Sequence, residues 1–215
     1  MNTAHPSVPA AWLARVTRLL DTHERVLLGL AGPPGAGKST LAAALQAHHG
    51  ALAQVVPMDG FHLAQAELER LGRAQRKGAP DTFDAAGFVS LLQRLRQPRA
   101  SEVVYAPAFR REIEEPIAGA IGIAPDRRLL LVEGNYLLLD MGAWAGVAPL
   151  LHEVWYVDTP PAQRLAWLLG RHRHFGRTEA QARQWIAQTD EPNARLIEGS
   201  RERATCRFHW DTGTG

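Results

Sequence analysis

The stretch "GPPGAGKST", residues 32–40, directly follows the apolar run 26–30 and decides the fold. Gly32, Gly37, Lys38 and Ser39 fill the pattern G-x-x-x-x-G-K-[ST], which is the phosphate-binding P-loop. Glycines let the backbone wrap closely enough for its N–H groups to point at phosphate oxygens. A helix that begins at the end of such a loop adds the positive end of its dipole to the same anion site.

The segment "KSTLAAALQAHHG" supplies that helix, with Leu41 and Leu45 one turn apart and Gly50 as its stop. We expect Lys38 to reach the β- and γ-phosphates and the Ser39 hydroxyl to bind Mg²⁺. An ordinary glycine-rich turn is the alternative, and the flanking strand and helix disfavour it. The residues assigned to the nucleotide are the whole loop: Gly32, Pro33, Pro34, Gly35, Ala36, Gly37, Lys38, Ser39 and Thr40.

Composition indicates one domain over residues 1–215, because 215 residues with 46% hydrophobic side chains can bury a proper core. The net charge of +2 gives no nucleic-acid signature. The single cysteine, Cys206, excludes an internal disulfide and fits a reducing compartment. We find neither a signal peptide nor an apolar run long enough to span a membrane, so we expect a soluble cytoplasmic protein.

Strands and helices alternate along the chain. Strand patterns occur at 26–30, within "AQVVPMDGFH", in "EVVYAPAFR", at 128–132, in "HEVWYVDTP" and in "TCRFHW"; helical patterns occur at 10–20, 38–48, 63–71, 85–96, 161–173 and 179–188. This alternation predicts an α/β P-loop NTPase fold: a doubly wound, mainly parallel sheet with helices on both faces. Such sheets bind ligands at the carboxyl ends of their strands, where Asp59, Glu133 and Asp158 lie beside the P-loop.

Two of these acids are candidates for phosphoryl-transfer chemistry. Asp59 in "MDGFH" could accept a proton from a substrate hydroxyl or help to orient Mg²⁺, or it could simply be a turn residue before Gly60. Glu133 ends the apolar "LLLVE" strand in the Walker-B manner and could hold Mg²⁺ together with Ser39. The alternative for Glu133 is a strand-end acid exposed to solvent.

A basic segment at about 164–180 is a candidate helical lid, because it carries four arginines and no acid between Pro160 and Arg177. Closure of such a lid would exclude water and would neutralise charge on the transferring phosphoryl group. We favour Arg171 for this role over Arg173, since Arg171 lies on nearly the same helical face as Arg164. The alternative is a solvated basic helix end. His172 and His174 are predicted to be surface residues.

Four further residues are candidates for the acceptor pocket. They are His62, Lys77 in "RKGAP", and Tyr105 and Arg110 in "YAPAFRR". Each has an ordinary alternative: His62 could start the next helix, and the others could lie in exposed loops.

The sequence resembles the P-loop small-molecule kinases related to uridine kinase, phosphoribulokinase and bacterial type I pantothenate kinase. Six segments carry this resemblance: "GPPGAGKST", "MDGFH", "RKGAPDTFD", "VEGNYLLLD", "RHRHFGRT" and "EPNARLI". Within that group the chain looks most like short bacterial nucleoside-kinase-like or fructose-transport-system kinases. "MDGFH" combined with "VEGNYLL" is much more specific to this group than the P-loop alone.

The resemblance implies ATP- and Mg²⁺-dependent phosphorylation of a hydroxyl on a small metabolite. It implies a catalytic set of Asp59, Lys38 and Arg171, with Glu133 near the metal and Asn193 near either the nucleotide or the acceptor. A sugar such as fructose or a nucleoside is the expected acceptor, with a pantothenate-like alcohol as the alternative. Relatives in this group often form dimers or tetramers, so the resemblance allows a homodimer.

Three hypotheses from other classes are weaker. A regulatory P-loop NTPase that binds GTP would bring an N-K-x-D stretch after a late strand, where this chain reads "DTPPAQR". A metallochaperone would need a Cys/His cluster, which one cysteine does not provide. A nucleic-acid motor is disfavoured by the near-neutral charge and the short chain.

Overall fold

The computed structural model describes residues 7–97 and 101–210. Its seven strands in the described residues are β1 Val26–Ala31, β2 Ala53–Pro57, β3 Val104–Arg110, β4 Glu115–Ile123, β5 Leu129–Gly134, β6 Glu153–Asp158 and β7 Cys206–His209. The α-helices are α1 Ala10–Thr22, α2 Lys38–His49, α3 Gln65–Arg70, α4 Ala85–Arg96, α5 Pro161–His174, α6 Glu179–Trp185 and α7 Glu191–Glu198.

Five of the strands form one parallel sheet in the order β2-β5-β1-β6-β7. All six residues of the central strand β1 are buried, as expected for a strand covered on both faces. Successive side chains alternate across the sheet, so Leu27 faces a core that contains Phe88 of α4, and Leu28 faces a core that contains Leu41 of α2. The doubly wound α/β fold predicted from the alternating pattern is therefore confirmed.

Strands β3 and β4 form an antiparallel hairpin that is separate from the main sheet. The sequence pattern predicted a strand followed by a loop here, because the three isoleucines of "EPIAGAIGI" are interrupted by glycine, alanine and proline, which are depleted in strands. The hairpin rests on Gly60, where an added Cβ would lie 2.2 Å from the carbonyl oxygen of Pro107. This contact places the hairpin against the turn that carries Asp59.

Two segments differ from the predicted boundaries. Strand β2 stops at Pro57, and Asp59 lies in the following 3₁₀ turn, Met58–Phe61. The helix expected at 179–188 ends at Trp185 and continues through a π-helical turn, Ile186–Asp190, into α7. No helix was predicted over α7, which carries Pro192 in its first turn, a position where proline is tolerated.

Within 7–97 and 101–210, no helix has both the length and the apolar character needed to pass through a membrane.

Candidate active site

The P-loop takes the backbone shape that its glycines allow. Gly35 and Gly37 have φ values of 82° and 88°, in the left-handed region that side chains other than glycine rarely adopt. At Gly35 an added Cβ would also lie 2.8 Å from the carbonyl oxygen of Arg164 in α5. The loop is therefore packed beneath α5, and α2 begins at Lys38 directly after it.

Lys38 lies across this loop with only 8% of the residue exposed. Its Nζ donates a hydrogen bond of 3.0 Å to the carbonyl oxygen of Pro33. Burial lowers the pKa of Lys38 to about 8, although the carboxylates of Glu133 and Asp59 oppose that change. The ammonium is thus charged at neutral pH and lies between the loop and two acids.

Ser39 and Glu133 meet at the end of the sheet. The Ser39 hydroxyl donates to Oε2 of Glu133 at 2.8 Å, because β1, which leads into the loop, lies beside β5, which carries Glu133 as its next-to-last residue. Burial and the neighbouring Asp59 raise the pKa of Glu133, while Lys38 and the hydrogen bond from Ser39 lower it, and the net shift is upward.

These two side chains fit a magnesium site. They supply a hydroxyl and a carboxylate oxygen, and Mg²⁺ prefers oxygen ligands and usually takes its others from water and substrate phosphates. In the described part of the chain, no group of three or more His, Cys, Asp or Glu side chains forms a metal site by itself. A metal at Ser39 and Glu133 would therefore depend on the nucleotide for its remaining ligands.

Asp59 lies between the P-loop and the hairpin. Its Oδ2 accepts a hydrogen bond of 3.1 Å from Arg111, at the end of β3. Burial raises the pKa of Asp59, but His62 (protonated only at acidic pH), Arg111 and Lys38 together outweigh burial and hold that pKa below its usual value. The carboxylate is ionised at neutral pH and is a weak base, which suits orientation of a hydroxyl and late acceptance of its proton.

Arg171 on α5 belongs to the same charged cluster. Burial and the nearby Arg111 lower its pKa, while Asp190, Asp59 and Glu133 raise it, so the guanidinium faces acids from three parts of the fold. Arg173, two residues later, has a side chain that is 60% exposed and lies 4.0 Å from Glu179. The structure thus brings Arg171, and not Arg173, toward Asp59 and Glu133.

Of the four residues predicted to line an acceptor pocket, His62 and Lys77 lie near Asp59. The His62 ring packs against Phe83 and Phe109 in tilted arrangements, with centroid distances of 3.9 and 4.6 Å. Nζ of Lys77 donates to the carbonyl oxygen of Glu114 at 2.5 Å, which ties the 73–84 loop to the tip of the hairpin. These contacts place His62 beside Asp59 and Lys77 at the rim of the same region.

Tyr105 and Arg110 are not brought to Asp59. Tyr105 is 61% exposed and lies across the hairpin from Gly122. Arg110 is exposed at the end of β3, opposite Glu115. The neighbouring Arg111, the first residue of the turn after β3, makes the contact with Asp59 instead.

Sequence reasoning also missed several positioning contacts. His172 was expected on the surface, but its Nε2 lies 2.8 Å from Oδ2 of Asp190 in the π-helical turn. Asn193 donates to the carbonyl oxygen of Gly78 at 3.3 Å, and the Tyr136 hydroxyl donates to the same oxygen. Asn193 therefore contacts the 73–84 loop. Asp190 and Tyr136 gave no local signal, since both contacts join segments distant in sequence.

Arg164 connects α5 to the P-loop. Only 3% of its side chain is exposed, and NH2 pairs with Oε1 of Glu191 at 2.5 Å. Its NH1 donates to the carbonyl oxygen of Pro34 at 3.3 Å. The first turn of α5 is thus fixed on the P-loop, whereas the basic end of that helix approaches Asp59.

Comparison with known proteins identifies similar chains. No protein-family model matches this sequence. A candidate uridine kinase of Schizosaccharomyces pombe, C227.14, is 35% identical over 195 residues, which cover 86% of this chain and 83% of that protein. Pantothenate kinase of Latilactobacillus sakei is 30% identical over 151 residues, which cover 67% of this chain but only 48% of that enzyme.

A solved structure is similar along almost its whole length. The candidate fructose transport system kinase of Silicibacter sp. TM1040 superposes with a TM-score of 0.81 at 37% sequence identity. The match covers 91% of this chain and 97% of that one. The shared fold therefore extends over nearly the whole of both chains.

Proposed function

The chain belongs to the P-loop small-molecule kinases related to uridine kinase, and we propose that its phosphoryl acceptor is a hydroxyl of a sugar such as fructose or of a nucleoside. Membership makes the protein an ATP-dependent phosphotransferase that acts on an alcohol, with ATP and Mg²⁺ as its cofactors. The identity of the acceptor is the proposal, as are the roles of the individual site residues.

The observation that carries the proposal is the position of Asp59. Its carboxylate interacts with Lys38 of the P-loop on one side and accepts a hydrogen bond from Arg111 of the hairpin on the other. A hydroxyl bound between the hairpin and the 73–84 loop would thus meet an ionised carboxylate in front of the phosphate cradle. That juxtaposition is what transfer to an alcohol requires.

In the proposed mechanism each residue has one task. The P-loop backbone and Lys38 hold the phosphates, and Ser39 and Glu133 would hold Mg²⁺, which would supply positive charge to the phosphates. Asp59 orients the acceptor hydroxyl and receives its proton as the phosphoryl group passes in line. Arg171 stabilises the negative charge of the equatorial oxygens, and closure of the lid, about residues 164–180, excludes water.

Two alternatives are weaker. A pantothenate-like acceptor has support from the pantothenate kinases, but this chain spans only about half of their length (48% for the enzyme from L. sakei). A regulatory P-loop NTPase would have no use for an acceptor. The hairpin packed on Gly60 and the Arg111–Asp59 ion pair would form an acceptor pocket opposite the phosphates. Such a pocket supports a kinase.

We also propose that residues 1–215 act as one kinase domain, that the protein works in the cytoplasm, and that it forms a homodimer. The single free cysteine, Cys206, supports a reducing compartment. Sedimentation velocity of the purified chain tests the homodimer, and a monomer at micromolar concentration would contradict it.

The test of function is ADP release with MgATP in the presence of fructose, ribose, uridine, cytidine or pantothenate, with a no-acceptor control. Phosphorylated product is then identified by mass spectrometry. We expect strong stimulation by one sugar or nucleoside. Stimulation by pantothenate alone would favour the first alternative, and equal ADP release with and without every compound would favour the second.

A further inference from the structure

His62 and Asp59 share one side of a tight turn. The backbone N–H of His62 donates to the carbonyl oxygen of Asp59 at 3.2 Å, which closes the 3₁₀ turn Met58–Phe61. Residues three apart in such a turn lie above one another. The imidazole and the carboxylate are therefore available to the same bound molecule.

The hydrogen bond of the imidazole fixes which nitrogen carries the hydrogen. Nδ1 of His62 lies 2.7 Å from the carbonyl oxygen of Asp59, and a carbonyl oxygen only accepts, so Nδ1 is the donor. The rings of Phe83 and Phe109 also pack against the imidazole. The ring is thus locked in one orientation.

The charge state of the ring follows from its surroundings. Burial lowers the pKa of His62 and outweighs Asp59, which raises it, and the cations Lys77 and Arg111 add to the lowering. At neutral pH the ring is therefore neutral, with its hydrogen on Nδ1 and a lone pair on Nε2. Among the described residues, Nε2 of His62 has no hydrogen-bond partner. This nitrogen is not fully buried, so a bound molecule can reach it.

We propose that Nε2 of His62 accepts a hydrogen bond from a second hydroxyl of the phosphoryl acceptor, so that the acceptor is a polyol that presents one hydroxyl to Asp59 and another to His62. This inference rests on the proposed function. A carboxylate or phosphate at the second position has no hydrogen to donate to a lone pair at neutral pH, so an anionic group there is disfavoured.

Paired substrates test the inference by kinetics. Ribose is compared with 2-deoxyribose, uridine with 2′-deoxyuridine and with 3′-deoxyuridine, in the wild-type chain and in His62→Phe. We expect the wild type to prefer the parent compound over one deoxy analogue by about 10-fold or more in kcat/KM. His62→Phe should lose that preference, mainly by a higher KM for the parent, with the KM for ATP unchanged.

The matched control is His48→Phe, since His48 is exposed near the end of α2 and belongs to no part of the site. It should keep the wild-type preference. Equal preference for the parent compound in the wild type and in His62→Phe would overturn the inference, as would a wild type that uses every deoxy analogue as well as its parent.

A spectroscopic readout separates this inference from the proposed function. Long-range ¹H–¹⁵N correlation on the ¹⁵N-labelled full chain at pH 7.5 should show one neutral histidine with its hydrogen on Nδ1 that is missing in His62→Phe. A hydrogen on Nε2, or on both nitrogens, overturns the inference whether or not any compound is phosphorylated. The same compounds are then titrated into the protein with ADP and Mg²⁺. The Nε2 resonance should shift with the accepted parent compound and not with the deoxy analogue that the wild type discriminates against. No shift with any compound also overturns the inference.

Discussion

The Ser39 hydroxyl donates a hydrogen bond of 2.8 Å to the Glu133 carboxylate, across 94 positions of the chain. The contact joins the first turn of α2 to the end of β5. It exists because β1 and β5 are parallel neighbours, so that the loop after one strand meets the last side chains of the other. The same oxygens are those that would bind Mg²⁺.

Glu133→Gln and Ser39→Ala should both raise the Mg²⁺ concentration needed for half-maximal ADP release, by about 10-fold or more. The first change removes the negative charge and the second removes an oxygen ligand. A Mg²⁺ titration at saturating ATP measures the effect. Glu67→Gln, which alters an exposed acid paired with Arg70, should leave the titration unchanged. A wild-type Mg²⁺ requirement in both site variants would exclude this pair as the metal site.

Nucleotide affinity should depend on pH through Lys38. Because its pKa is lowered to about 8, part of the population is neutral at pH 8, and bound phosphate restores the charged form. ATP binding should therefore take up protons near pH 8, and affinity should fall as the pH rises from 7 to 9. Titration calorimetry in two buffers of different ionisation enthalpy measures the uptake.

Lys38→Ala should bind ATP far more weakly and should show no proton uptake. Lys77→Ala is the matched control, since it removes the other lysine, whose Nζ contacts Glu114 and Gln65 outside the P-loop. It should keep both the affinity and the uptake. The assignment of Lys38 fails when Lys38→Ala retains wild-type affinity.

Asp59→Asn should reduce kcat by about 10²–10⁴-fold, because the amide neither accepts the hydroxyl proton nor keeps the charge that pairs with Arg111. ATP affinity should stay nearly unchanged, since the P-loop is intact. Single-turnover transfer and nucleotide binding are measured side by side. Asp126→Asn, at an exposed acid, serves as control. Normal turnover in Asp59→Asn would rule out its role as base.

The parts of the fold that the sequence predicted are those with local signals. The P-loop has a fixed spacing, β1 is an apolar run that leads into it, and β5 and β6 are apolar runs with an acid at their carboxyl ends. The parallel sheet and the placement of Ser39 and Glu133 at the same edge of that sheet could therefore be inferred. Strand β4 was missed because glycine, alanine and proline interrupt its isoleucines, and it forms through pairing with β3.

The acceptor side was less predictable because long-range packing determines it. "YAPAFRR" contains two adjacent arginines, and only the register of the hairpin on Gly60 decides that Arg111 rather than Arg110 faces Asp59. His172 appeared to be a surface residue until the π-helical turn placed Asp190 beside it. Neither relationship has a spacing that a sequence pattern could report.

Arg171→Ala should lower kcat by about 10²–10³-fold, as removal of a preorganised charge from a transition state does. The KM for ATP should change less, because Lys38 and the loop still hold the phosphates. Arg173→Ala is the matched control on the same helix, with its exposed side chain 4.0 Å from Glu179. Steady-state kinetics compare the two variants. Equal losses of kcat in both would indicate a general charge effect of the lid rather than a specific role for Arg171.

Gly60→Ala should separate acceptor binding from nucleotide binding. The added Cβ would lie 2.2 Å from the carbonyl oxygen of Pro107, and a backbone atom of the hairpin cannot move aside as a flexible side chain can. We expect a loss of about 1–3 kcal/mol in the free energy of unfolding, a raised KM for the acceptor, and unchanged ATP affinity. Thermal unfolding and steady-state kinetics measure these effects.

Gly170→Ala provides the opposite control. Gly170 lies inside α5, and an added Cβ there meets nothing within 4 Å, so alanine should stabilise the protein by about 0.5–1 kcal/mol through the lower backbone entropy of the unfolded chain. Acceptor KM should not change in this variant. If Gly60→Ala kept both the wild-type stability and the wild-type acceptor KM, the hairpin would not be what positions the acceptor beside Asp59. A rise in acceptor KM in both variants would instead attribute the effect to α5 and its lid.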